Sequence, residues 1–383
     1  MQLNYRQIIA DQCTDCGVCV QSCFFLQRFG TPGFIARQGI DGHPELTYGC
    51  TLCGLCKQRC PVHLAPDEMF LAFRQHNAET GRSPHPRHLP LLRYEAAGYS
   101  RWLTGYILPK GGRQIFFPGC AFTGTRSSTL LNVFDRLLSI HPDTGIVLDC
   151  CGTPSHALGM ANQQHARFLE SVRFLVEHGI ETIYTACPNC YIMFKKYGRN
   201  LKPVMAASIL NEHLHQPDVS VSESPAFTIH DPCVLRHESG VQDDVRQLAT
   251  RLGIRIYDTK HSGENAICCG AGAGLAFFDN TLAAQWRDLR LEEARSAETV
   301  TGNPMPVLTY CAGCQERLGE NSIHILDILA NPQRALNGNP RVIKSPFTYP
   351  ARLMTKHRLI RRFKGYATIA ERRGKHRELT AIS

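Results

Sequence analysis

At 383 residues, 43% hydrophobic and 20% charged, the chain has the make-up of a folded globular protein long enough for two or three cores, so a multi-domain organisation is expected. No apolar run approaches the roughly 18 residues of a membrane span. The opening Met1-Gln2-Leu3-Asn4-Tyr5-Arg6-Gln7 lacks the apolar stretch of a secretory signal, so a cytoplasmic location is expected. The formal charge of +9 is uneven: residues 341–383 hold 12 Lys/Arg against 2 acidic residues, and the remainder is near neutral at 30 against 31. Eighteen cysteines in such a chain point to metal, because reducing compartments disfavour disulfides and disulfide-dense scaffolds are short and secreted.

Residues 1–75 contain eight cysteines in two runs. Cys13, Cys16, Cys19 and Cys23 follow C-x2-C-x2-C-x3-C, and Cys50, Cys53, Cys56 and Cys60 repeat it, with Pro61 after the last and Phe24 in the corresponding place of the first run. This is the spacing of a ferredoxin-type dicluster module: three thiolates three residues apart wrap one face of a cubane, and the fourth comes from the other run. It assigns Cys13, Cys16, Cys19 and Cys60 to one [4Fe-4S] cluster and Cys50, Cys53, Cys56 and Cys23 to a second. A structural zinc site would need only two separated pairs and leave the other thiols idle.

Residues 76–113 shift to Pro, Gly, His and Arg, as in Ser83-Pro84-His85-Pro86-Arg87-His88 and Pro109-Lys110-Gly111-Gly112, with an apolar patch around Trp102; they read as a connector. From residue 114 to 226 the pattern alternates. Residues 114–117 and 145–148 read as strands, 127–138 and 166–178 as helices, and 182–185 as a strand running into Cys187-Pro188-Asn189-Cys190. The same order returns over 227–334, with equivalent cysteines offset by 113, 118 or 124 residues. That is an internal duplication. The expected fold is therefore α/β, a small helical dicluster module followed by two duplicated α/β domains with mainly parallel sheets, and a basic tail over 335–383.

The two domains carry five cysteines each, in the order C, CCG, CxxC: Cys120, Cys150, Cys151, Cys187 and Cys190, then Cys233, Cys268, Cys269, Cys311 and Cys314. All lie at or just after strand ends, where open α/β sheets gather functional loops. A lone CxxC would suggest a thioredoxin-like redox pair, and an isolated cysteine pair is often packing. The duplication argues against both. Thiolates in this number select iron–sulfur clusters, Cu(I) or zinc, and the dicluster runs favour iron–sulfur. Five ligands exceed what a regular cubane needs, so an irregular cluster is inferred. Near the second set, His230, Asp231 and His237 flank Cys233, and Gly270, Gly272 and Gly274 offer close backbone approach to a cluster sulfur or an anion, or else form a tight turn. His156 follows Cys151 by five residues. The second set, with His230 as proton source, is the expected catalytic site.

This pattern resembles the cysteine-rich-domain (CCG) family of iron–sulfur proteins. With its dicluster module, the arrangement over residues 1–330 is similar to the heterodisulfide reductase D branch, and more distantly to the iron–sulfur subunits of anaerobic glycerol-3-phosphate dehydrogenase and glycolate oxidase. The resemblance implies two cubane and two noncubane [4Fe-4S] clusters, each noncubane cluster held by all five cysteines of a set, and a thiol–disulfide couple as substrate. The electron-transfer subunits of the distant branch typically lack a cysteine of CxxC, whereas both sets here are complete; Val234 stands where the family often has His. Expected partners are other redox subunits, whether a flavoprotein, a hydrogenase or a membrane quinone or cytochrome subunit. A pure electron relay without its own substrate is the alternative. The tail mixes Arg352, Lys356, Arg358, Arg361, Arg362 and Lys364 with Leu353, Leu359, Ile360 and Phe363. Docking on an acidic partner is its first expected role, ahead of an anionic membrane on the cytoplasmic face or wrapping back on its own body. No nucleic-acid-binding motif is present.

Overall fold

The computed structural model describes residues 4–40, 43–83, 85–214, 225–297, 305–338, 340–365, 367–373 and 378–382. The strands in chain order are β1 (Gly105–Pro109), β2 (Gln114–Phe117), β3 (Gly145–Leu148), β4 (Thr182–Thr185), β5 (Lys202–Met205), β6 (Ala226–His230), β7 (Arg255–Tyr257), β8 (Val307–Thr309), β9 (Ser322–His324), β10 (Ala367–Arg373) and β11 (Glu378–Ile382). They form two sheets, ordered β11-β10-β1-β3-β2-β4-β5 and β7-β6-β8-β9. Within the first, β3-β2-β4-β5 is parallel throughout, and it has the same topology as the wholly parallel second sheet. The duplication read from cysteine offsets is thus a duplication of the fold.

The central strands are short and apolar on both faces, as parallel strands covered by helices must be. The helix Ser127–Ile140 buries Leu130, Val133, Phe134 and Leu137, spaced three and four residues apart, which gives one apolar face. That face joins helices Ala206–His213, Ser239–Arg251 and Ile325–Ala330 in the largest core, so the two α/β units share their main hydrophobic interface. A buried ion pair crosses it. Arg126 donates through Nε to Asp327 Oδ2 at 2.9 Å and through Nη2 to Gln315 Oε1 at 2.6 Å. Its pseudo-symmetric counterpart is the contact of Tyr191 Oη with Glu238 at 3.1 Å. In both cases the residue that opens the long helix following one unit's first cysteine meets the residue directly after the CxxC of the other.

The N-terminal module is helical: Tyr5–Gln12, Phe24–Phe29, Pro32–Gln38, Pro44–Tyr48, Leu55–Arg59 and Pro66–Glu79. Thr31 caps the third of these by accepting from Phe34 N, with Pro32 pre-set at the first helical position. Its core of Phe25, Leu26, Met69, Phe70 and Phe73 is completed by Leu275, Leu282 and Trp286 of the second α/β unit. Arg74, fully buried, fastens all three parts. It donates to Thr47 O at 2.9 Å and Cys50 O at 2.5 Å in its own module, to Ala157 O of the first unit at 2.8 Å, and to Ala273 O of the second at 3.4 Å.

Two expectations are corrected. The connector 76–113 supplies the helix Leu89–Gly98 and β1, which lies inside the larger sheet. The basic C-terminal segment does not hang free for a partner; it wraps back on its own body. Helix Thr348–Phe363 buries Arg352, Thr355, Lys356, Leu359 and Phe363, and β10 pairs antiparallel with β1 from Tyr106↔Ala370 to Pro109↔Ala367. Lys356, which breaks the apolar stripe in the sequence, is paired with Glu371 Oε2 at 2.6 Å, so the stripe tolerates it. Met354, His357, Arg358, Arg361 and Arg362 face outward. Among the described residues no helix is long and apolar enough to cross a membrane.

Because Arg74 is fully buried and serves four carbonyls, those of Thr47 and Cys50 in the interior and those of Ala157 and Ala273 half-buried, Arg74→Met should lower stability by about 3 kcal/mol through the hydrogen bonds lost. Thermal unfolding of the anaerobic full chain measures this; a melting point equal to that of the wild type would refute the fastening role.

Candidate metal centres

Cys13, Cys16, Cys19 and Cys60 line one recess of the N-terminal module, with Thr31, Pro32 and Pro61. Cys23, Cys50, Cys53 and Cys56 line a second with Leu26, Phe70 and Trp286, and Cys56 lies at the border of both. The backbone turns inward in the same way in each run: Asp15 and Leu52, two residues after the first cysteine, have φ of 52° and 54°. Leu52 N donates to Cys50 Sγ and Leu64 N to Cys60 Sγ, both at 3.3 Å. Burial, and next the neighbouring thiols, push Cys19 up to about 11 and Cys23 up to about 12. Thiols so crowded hold their protons unless a cation replaces them, which is the electrostatic condition of a metal site.

In the first five-cysteine set, Cys120 opens the helix Cys120–Thr125 after β2, Cys150 and Cys151 follow β3, and Cys187 with Cys190 begin the helix Pro188–Tyr197 after β4. Cys150 and Cys120 sulfurs lie 3.9 Å apart. An added Cβ on Gly119 would stand 2.9 Å from Cys187 Cβ and 3.0 Å from Cys190 Sγ, so the CxxC lies against the Cys120 loop. Asp149 fixes this loop, accepting from Cys150 N at 2.7 Å. The same carboxylate is bonded to Tyr106 Oη at 2.5 Å and to Arg372 Nε of β10 at 2.9 Å, and the Arg372–Asp149 pair is completely buried.

The second set follows β6, β7 and β8 in the same order, but Cys268 and Cys269 do not lie just after a strand end as expected: ten residues, including the turn Gly263–Asn265, separate them from β7. Cys268 is the thiol most favoured as an anion: hydrogen bonds from Cys233 and Cys269, then from Gly270 and Gly272 N–H groups, hold it well below the usual thiol range. Gly270 N lies 3.3 Å from its sulfur. Gly270 has φ of 92°, and a Cβ there would meet Ala283 O at 2.1 Å, so the turn admits only glycine. At Gly272 a Cβ would stand 2.7 Å from Thr51 O and 2.9 Å from Cys268 Sγ, which places the dicluster module's second run directly against the second set. Gly274 lies farther off, beside His88. Buried Arg236, three residues after Cys233, crosses the same boundary by donating to Cys53 O at 3.0 Å and Ala266 O at 2.6 Å.

The histidines separate. His230 is fully buried, neither ring nitrogen has a hydrogen-bond partner, and its ring lies with the Cys269 and Cys314 sulfurs within 4.8 Å. Burial, and next Arg290, lowers it to about 4, so it is neutral at pH 7. His156 is instead bonded to Tyr197 Oη at 2.9 Å, and His237 is exposed. Sequence reasoning missed Arg74, Arg236, Asp149, Arg372 and the inward role of Arg352; of these, only the position of Asp149 beside the CCG motif gives a local signal.

The 4Fe-4S dicluster domain family matches residues 9–64, and the cysteine-rich domain family matches twice, at 115–195 and 227–319. The chain is 25% identical to the glycolate oxidase iron-sulfur subunit of Escherichia coli, over 86% of this chain and 96% of that one. It is also 25% identical to a fumarate reductase (CoM/CoB) subunit from Methanothermobacter marburgensis, over 83% and 70%. With one subunit of the dihydromethanophenazine:CoB–CoM heterodisulfide reductase from Methanosarcina mazei it shares 22% identity, over 82% and 90%. With a duplicated parallel α/β fold and eighteen cysteines distributed over these segments, the chain carries a 4Fe-4S dicluster domain and two cysteine-rich domains, the domain make-up of an iron–sulfur protein.

Proposed function

We propose that this chain carries electrons between a partner redox subunit and the second five-cysteine set, where a thiol–disulfide couple reacts. The observation that carries this reading is the closeness of the dicluster module's second run to the second set: a Cβ on Gly272 would stand 2.7 Å from Thr51 O and 2.9 Å from Cys268 Sγ, Arg236 reaches Cys53 O at 3.0 Å, and the charge of Cys268 helps to raise the Cys53 thiol. Cys13, Cys16, Cys19 and Cys60 would hold one cubane and Cys23, Cys50, Cys53 and Cys56 the other. The two five-cysteine sets would each hold a noncubane [4Fe-4S] cluster. Clusters at these positions supply one-electron chemistry. Within the second set, neutral His230 is placed to give an N–H to a sulfur ligand or a departing thiolate, and Gly270 N and Gly272 N to stabilise negative charge on Cys268.

A second reading has one observation in its favour. Cys268, Cys269, Cys311 and Cys314 are all buried and only Cys233 is partly open, as a relay without a substrate of its own would require. The exposed Cys16 end of the dicluster module then faces the partner, which by its electron chemistry is a flavoprotein, a hydrogenase or a membrane quinone or cytochrome subunit. A cytoplasmic location fits both readings.

Anaerobic reconstitution should yield about 16 iron per chain if four sites each hold four. A ceiling near half that value would remove the five-cysteine sets from the account. Titrating oxidised protein with small thiols should generate a new paramagnetic signal that Cys268→Ser or Cys311→Ser abolishes, together with disulfide reduction. If no thiol perturbs the spectrum while electron passage to an artificial acceptor is normal, the relay reading replaces the disulfide one.

A further inference from the structure

The first five-cysteine set is enclosed by residues that neither the dicluster module nor the cysteine-rich repeat supplies. The helix Leu89–Gly98 packs on Cys150 at Gly98, where an added Cβ would stand 3.1 Å from Cys150 Cβ, 3.7 Å from its sulfur and 3.5 Å from Arg352 Nη2. Tyr94 of that helix donates to Cys120 O at 3.2 Å. Arg352 comes from the opposite side, out of the C-terminal helix Thr348–Phe363, and its Cδ lies near Gly124 in the helix that Cys120 opens.

Arg352 is 1% exposed, and its Nε and Nη1 have no hydrogen-bond partner. Its guanidinium carbon lies 5.7 Å from the centre of the Tyr94 ring, and its charge favours the Cys120 thiolate. A buried cation with unmet donors costs several kcal/mol unless an anion completes it. The Cys120 and Cys150 thiols lie beside it, the buried Glu95 carboxylate also lies near those thiols, and five thiolates around iron would present that negative charge.

We infer that Arg352 is the charge-compensating hydrogen-bond donor of the cluster held by the first five-cysteine set, and that it raises that cluster's reduction potential. The C-terminal segment is then a working part of this centre. Arg352 meets it directly, and Arg372 acts at one remove through Asp149, which holds the Cys150 backbone. The physical reason is simple. Reduction adds one negative charge beside a fixed positive one in a site shielded from water, so the reduced form gains more than the oxidised form. Arg352 is a positioning and tuning residue and forms no bond to iron.

This inference rests on the first set holding a cluster, and the test separates the two. Full-length protein is reconstituted without oxygen and titrated with dithionite and mediators under electron paramagnetic resonance. The signal of the first set is identified as the one that Cys120→Ser removes. In Arg352→Leu its midpoint should fall by at least tenfold in the reduction equilibrium, about 59 mV for one electron, with the other midpoints in place. Arg352→Lys, which keeps the charge, should fall less. If Arg352→Leu does not load iron, Arg352→Gln keeps donors without charge, and its midpoint should fall as well. An unmoved midpoint in an iron-loaded Leu or Gln variant, or an equal shift of every signal, overturns the inference. A wild type with no signal sensitive to Cys120→Ser overturns the cluster assignment instead.

Discussion

One buried guanidinium decides how the parts of this molecule meet. Arg74 sits at the junction of the dicluster module and both α/β units, and the groups it satisfies are main-chain carbonyls of all three, among them that of Cys50. Burial lowers it only to about 10, so it stays charged at pH 7. A cation in that position fixes distances: the Cys50 loop cannot drift from the Ala273 loop without stranding a charge in the interior. The meeting of the Cys53 and Cys268 loops, on which the functional reading stands, follows from this fastening and from the shared core around Trp286.

The duplication is closely kept in topology and broken in surroundings. Both units present C, CCG and CxxC after equivalent parallel strands, but it is the second set that lies against the dicluster module. Its environment contains a histidine at the end of β6, where the first unit has Phe117 at the end of β2. The first set is enclosed instead by the helix Leu89–Gly98 and the C-terminal helix and strand, whose arginines face Asp149 and the cysteine loop. Two copies of one scaffold thereby offer different charge and proton environments to the groups they would hold.

Much of this was legible in the sequence because cysteine spacing is a local signal. The ferredoxin-type runs, the CCG repeats and strands such as Gln114–Phe117 and Gly145–Leu148 announce themselves within a few residues. What escaped is non-local. β1 reads as a Pro- and Gly-rich connector, because its partners are β3 and a strand near the C-terminus that no window contains. The C-terminal helix reads as a docking tail, since the glutamate that neutralises Lys356 lies in β10, across a turn. Arg74 looks like any polar residue of an amphipathic helix. Its acceptors are carbonyls, which carry no residue identity for a sequence to display.

The claim on which the account depends is that the dicluster module connects to the second cysteine set and not to the first. Spin-relaxation measurements on partly reduced, iron-loaded protein test it directly. The account predicts that the paramagnetic signal of the cluster at Cys23, Cys50, Cys53 and Cys56 relaxes faster through its neighbour, and that this enhancement disappears in Cys311→Ser and persists in Cys120→Ser. Enhancement lost with Cys120→Ser and kept with Cys311→Ser would contradict it.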